Sequence, residues 1–188
     1  MNRRRALWLS AGAAIVLLLG GHTPYGQWVV YRKKHLLIGC HKADPETYDL
    51  AKRVVALLEK HLPAAKSRVA RAPDAGRLAS LLGTAQMAVA TLGAADAAAM
   101  LRGTGRFEAY GAIALRVLTP VAGRLLVARA DFPERHAWLV TGALVGTDVA
   151  PARDSPDDPA GDPLGDPGIP WHPGSRAFLE GRPDPDDG

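Results

Sequence analysis

The chain contains one cysteine, Cys40, so no internal disulfide can staple it. A lone thiol also leaves the redox compartment unmarked. Its six histidines, His22, His35, His41, His61, His136 and His172, show no paired spacing. Cys40 and His41 are adjacent and supply too few ligands for a metal site. Lys42 beside Cys40 could lower the thiol pKa, but no base or orienting partner stands near it in the sequence. None of Ser10, Ser67, Ser80, Ser155 and Ser175 lies in a nucleophile-elbow pattern. The expectation is a protein that is not an enzyme and carries neither cofactor nor metal.

Charge is unevenly spread. From Pro151 onward there are nine acidic and three basic residues, against 20 Lys or Arg and 10 acids in the first 150. A basic body can signal nucleic acid, but no nucleic-acid-binding motif accompanies it. Six of its charges flank one N-terminal apolar stretch, and the others are scattered singly. Nucleic acid is not an expected partner.

That apolar stretch is the most legible address in the chain. Arg3, Arg4 and Arg5 precede sixteen uncharged residues, Ala6 to Gly21, the n-region and h-region of an export signal. A signal-peptidase site wants small residues at −1 and −3, and here leucines fall at −3. Sixteen helical residues span roughly 24 Å, short of a ~30 Å hydrocarbon core. The span is completed if the helix continues to Val30, with Tyr25 and Trp28 at the interface. Residues 1–34 are therefore expected to be an uncleaved signal anchor and juxtamembrane segment. Membrane lipid would be its partner, and the body would face the periplasm from a bacterial inner membrane. A cleaved signal peptide is the alternative.

The body alternates in period. "HLLIGC" reads as a buried strand. Asp44 then caps a helix with Pro45 at its first position, and Leu50, Val54, Leu57 and Leu58 recur at helical spacing before Pro63. "SRVARA" and "QMAVATL" read as strands, separated by a helix capped by Asp74. An alanine-rich helix from Ala94 follows, then the strands "YGAIALRVLTP" and "RLLVARA" and a last helix from Pro133. This alternation predicts an α/β lobe over 35–149 with a largely parallel sheet and flanking helices. Residues 150–168, rich in Pro, Asp and Gly, are expected to be a disordered, solvated linker. Within 169–188, "PWHPGSRAFLEG" reads as a terminal helix docking back on the lobe. Ser175 is its expected cap, and Trp171 and Phe178 are expected to be largely buried.

Several of these stretches, in this order, carry a family resemblance. "LLIGCHKADPETYDLAKRVVALLEKHLP", with Gly39, Tyr48, Leu50, Leu57 and Leu58 at matching positions, resembles the opening of the TAXI family. These are solute receptors of TRAP transporters, with the type II periplasmic binding-protein fold. "RLASLLGTAQMAVATL", Phe107 after "GTG", and "LLVARADFPERHAWLVTGAL" resemble later family blocks. His172, Pro173, Gly174 and Phe178 resemble the family's closing His-Pro-Gly turn and helix. The resemblance implies one lobe only, because "VAG" replaces the second lobe between Pro120 and Arg124. It also implies ligand-site candidates: Cys40, His41 and Lys42 in the first loop, Tyr48 on the first helix, and Thr91 ending the third strand. Pro45 offers no amide and Asp44 would repel a carboxylate, so a small-molecule ligand is a weak expectation. A one-lobed receptor cannot trap a solute by hinge closure. The implied function is a membrane-tethered accessory protein holding a protein partner, such as a transporter subunit. The alternative is the solute-binding component of an uptake system.

Overall fold

The computed structural model describes Tyr31, residues 34–150 and residues 168–185. The expected anchor, Tyr31 and Lys34 apart, and the expected linker from Pro151 to Pro167 lie outside these residues. The chain divides into two units, residues 1–34 and 35–188, and the sheet belongs to the second. Among the described residues no helix is long and apolar enough to cross a membrane.

Local signals set most element boundaries. Strand β1 (Leu37–His41) leads into helix α1 (Pro45–His61). The Asp44 carboxylate accepts from the Thr47 amide at 3.3 Å, satisfying an end donor that α1 cannot satisfy itself. Pro45, which has no amide hydrogen to orphan, occupies the first turn. After β2 (Arg68–Ala72), Asp74 repeats the device for α2 (Ala75–Gly83), accepting from the Arg77 amide at 2.7 Å. Then follow β3 (Val89–Leu92), α3 (Ala94–Arg102), β4 (Leu115–Val121), β5 (Arg124–Arg129) and α4 (Glu134–Leu144). Tyr110, expected to begin the fourth strand, instead closes a 3-10 helix, Gly105–Tyr110, and the strand begins at Leu115.

Among the described residues the five strands form one sheet in the order β2-β1-β3-β5-β4. The sheet is mixed, which corrects the expectation of a largely parallel one. β1 pairs parallel with β2 and β3, whereas β5 pairs antiparallel with both β3 and β4. The cause is the short connection at Ala122–Gly123. Val121 pairs with Arg124 across it, and both turn residues have positive φ, 42° and 76°. Such a two-residue turn joins only antiparallel neighbours. Four strands thus run in one direction, and β5 runs back between β3 and β4.

Helices cover both faces. On one, α1 and α4 pack Leu50, Val54, Leu58, Val140 and Leu144 against Ile38, Val89 and Leu126. On the other, α2, α3 and Phe107 pack against Ala90, Leu92, Leu115 and Val127. Gly39 makes the second packing possible. A Cβ there would stand 2.2 Å from Met87 Sδ and 2.8 Å from Leu78 Cδ1. In this chain the glycine admits side chains to the strand.

The terminal segment docks at the β4 edge. The Val117 amide donates to the Pro170 carbonyl at 2.9 Å, and the His172 amide donates to the Val117 carbonyl at 2.8 Å. Helix α5 (Pro173–Leu179) then lies along α4. Its cap is His172, not Ser175: His172 Nδ1 accepts from the Gly174 amide at 3.3 Å. Ser175 is one turn too deep to cap and is buried against Thr141. Trp171 and Phe178 are half-buried, less covered than expected. The reason is the helix's close approach through small residues. Gly174, Ser175 and Ala177 are buried, while the Phe178 ring lies edge-on to Trp138 with centroids 5.2 Å apart. Ala150, expected to begin the linker, is buried and accepts from the Gly146 amide.

Candidate functional site

In an open α/β sheet, ligands bind outside the carboxyl ends of parallel strands where successive crossovers diverge to opposite faces. Here that point lies between β1 and β3. The chain leaves β1 through α1 on one face and reaches β3 through α2 on the other. The expected candidates gather around this mouth, but the structure gives them different tasks.

Cys40 is fully buried in the core beneath α1, with its sulfur 3.9 Å from the Ala70 carbonyl. Burial pushes its pKa up to about 11 against the opposing field of Arg71. It is a packed thiol rather than a nucleophile. His41 is 2 % exposed, and neither ring nitrogen has a hydrogen-bond partner. Its backbone alternation places it on the opposite face from Cys40. Lys42 is exposed; its amide donates to the Ala72 carbonyl at 3.0 Å, continuing the β1–β2 contact past the strand end.

Tyr48 is half-buried and held by cations. Arg71 Cζ lies 4.3 Å and Lys52 Nζ 4.7 Å from its ring centroid. Such contacts contribute roughly 0.5–1 kcal/mol each at exposed sites. Thr91 is fully buried, with its hydroxyl 3.2 Å from the Gly39 carbonyl and 3.0 Å from the Thr47 carbonyl. It joins β3, β1 and the first turn of α1. Thr91 and Tyr48 are thus engaged within the protein, and Cys40 is sealed from the mouth.

The residue that sequence reasoning missed is Arg124. From the start of β5 it reaches across the mouth to Glu46 at 2.5 Å and Asp44 at 3.5 Å, both at the α1 N-terminus. Its guanidinium also passes over the end of β3, where a Cβ on Gly93 would lie 3.2 Å from Nη1. Its partners lie 78 and 80 residues away in sequence, so no local signal betrays it. Arg124 places a cation where an anion would otherwise meet helix dipoles, and two carboxylates already neutralise it. Among the described residues no group of three or more His, Cys, Asp or Glu side chains is placed to hold a metal ion.

An open surface groove lies elsewhere, beside α5, lined by Trp171, Pro173, Arg176, Glu180 and Arg182. Glu180 pairs with Arg176 at 2.7 Å and Arg182 at 2.9 Å, and the hydrogen bond from Arg176, more than the charge of the two arginines, lowers its pKa. Comparisons with protein-family models, curated proteins and solved structures found no match.

Proposed function

We propose that this chain is a membrane-anchored extracytoplasmic accessory protein. In this reading it is a one-lobed relative of TAXI-type receptors that holds a protein partner, the membrane subunit of a TRAP-type transporter. Its N-terminal segment would sit in the bacterial inner membrane with the lobe in the periplasm. The observation that carries the reading is the position of Arg124. It closes the mouth with ion pairs internal to the chain, just after the Ala122–Gly123 turn where the resemblance implies a second lobe. With no opposing lobe to fold over that mouth, solute capture by hinge closure has no moving part.

The test is paired. Calorimetry of the full chain against small dicarboxylates and amino acids should be flat, while the co-expressed transporter membrane subunit should co-purify with it from solubilised membranes. Micromolar solute binding, about −8 kcal/mol, without co-purification would overturn the accessory reading. N-terminal sequencing of the mature chain tests the anchor. A start after Gly21 would replace it with a cleaved signal.

One observation favours a second reading, a solute-binding component of an uptake system. His41 holds two unpartnered ring nitrogens at the carboxyl end of β1. The neighbouring helix α3 also begins at Gly93 without a side-chain cap. The same calorimetry decides between the two.

A further inference from the structure

We propose that residues 169–182 form a proton-sensitive latch, in which protonation of His172 undocks the terminal helix from α4 and the β4 edge while the lobe stays folded. The geometry admits one protonation state of the ring. His172 is 1 % exposed. Its Nε2 lies 2.8 Å from the Phe132 carbonyl, which can only accept, so Nε2 carries the hydrogen. Its Nδ1 faces the Gly174 amide, which can only donate, so Nδ1 must be bare. A second proton would set N–H against N–H at the first turn of α5, in a site closed to water. It would also put positive charge at a helix N-terminus, where the dipole opposes it.

The surrounding groups do not relieve this conflict. Burial depresses the His172 pKa most, outweighing the Phe132 carbonyl and the Glu134 carboxylate that favour the charged ring. Arg116, from β4, adds to the depression. The Phe132 ring lies edge-on to His172 with centroids 6.1 Å apart, and His136, on α4, lies tilted against that ring with centroids 5.9 Å apart but is itself exposed. A folded-state pKa below the ordinary 6.5 means that opening takes up a proton. Docking is therefore fully supported above pH 6.5 and weakens as pH falls below it. The open fraction should rise by up to roughly tenfold per pH unit until the docked-state pKa is reached.

Opening can be local because the tail contributes little to the two cores. Of its described residues only Ile169 and Ala177 are buried apolar side chains. It also holds the Phe132 carbonyl through His172, the β4 edge at Val117, the Thr141 hydroxyl and the outer face of α4 at Trp138, while half-buried Trp171 packs against the second core. The released state uncovers the backbone amide and carbonyl of Val117 on an edge strand, groups that pair readily with another extended segment.

Hydrogen exchange of the full chain, read by peptide between pH 7 and pH 5 and corrected for intrinsic rates, tests the latch. Peptides covering 169–182 should lose protection progressively as pH falls below 6.5, while peptides covering β1, β3 and α1 keep theirs. The His172 imidazole 15N signals should show the Nε2-protonated tautomer at pH 7 and titrate along the same curve. His172→Gln, which can still donate to Phe132 but cannot titrate, should flatten the pH dependence of the tail; His136→Gln should leave it intact. Unchanged tail protection, parallel loss throughout the lobe, or an imidazole titration that does not follow the opening would each overturn the proposal.

Discussion

Ser175 and Thr141 share a buried hydroxyl–hydroxyl hydrogen bond of 2.7 Å that ties the terminal helix to the last helix of the lobe. Thr141 lies 3.2 Å from the Leu118 carbonyl and has one proton to give. Ser175 therefore donates to Thr141, and Thr141 donates to Leu118. Leu118 is the additional residue of a β-bulge between Val117 and Thr119, so its carbonyl falls outside the regular β4–β5 ladder. The middle of this chain matters more than its end. Ser175→Ala removes one donor and should cost about 1 kcal/mol. Thr141→Val strands both a carbonyl and a hydroxyl and should cost about 1–3 kcal/mol. Urea unfolding of the two variants checks the order.

Gly174 sets how closely α5 can approach. A Cβ on it would lie 1.9 Å from the Glu134 carbonyl oxygen, and that oxygen belongs to backbone with little freedom to yield. Gly174→Ala should undock α5 at neutral pH. In a variant whose only tryptophan is Trp171, its emission should shift to the red while the lobe keeps its far-ultraviolet dichroism. Emission identical to the parent would show that the contact relaxes at no cost.

How much of this was readable in advance depends on the range of the interaction. Asp44-Pro45 and Asp74 marked helix starts because a cap is local chemistry, and both carboxylates sit where that chemistry puts them. The order of the strands was not local. "RLLVARA" reads equally well as a parallel or an antiparallel strand, and only the turn at Ala122–Gly123 dictates its direction. His172 escaped as a cap because serine is the commoner cap residue and Ser175 stood close by. At the mouth, Cys40 and Thr91 were chosen from their place in the strands, but their burial is decided by helices that pack from elsewhere. Arg124 could be found only once the fold had brought it to Asp44 and Glu46.

Cys40 provides a pH signature of its own. Burial raises its pKa from 9.0 to about 11, so the folded state holds its thiol proton more tightly than the unfolded state does. That contribution is complete below pH 9 and is lost as pH rises from 9 towards 11. At pH 8 the native thiol should resist a disulfide reagent that modifies the urea-unfolded chain within seconds. Cys40→Ala should unfold more readily at pH 8, through the cavity it leaves, yet lose less stability than the parent between pH 9 and pH 11. Rapid native labelling would place the thiol in contact with solvent.

The hairpin joining β4 and β5 carries strain at Ala122. Ala122 has φ 42°, a left-handed conformation that costs a residue with a Cβ roughly 1–2 kcal/mol. Its side chain is exposed, so it gains no packing in return. Its amide donates to the Val149 carbonyl at 2.9 Å, a bond that any residue except proline retains. Asparagine tolerates positive φ, and Asn-Gly is the preferred pair for a two-residue turn of this kind. Ala122→Asn should therefore stabilise the lobe by about 0.5–1 kcal/mol, an increase of about 1–4 °C in Tm. Ala122→Pro should do the reverse, because the ring fixes φ near −65° and removes the donor to Val149. Asn and Pro variants that melt together with the parent would show that this turn opens before the transition, leaving β4 and β5 joined by a loop rather than a tight hairpin.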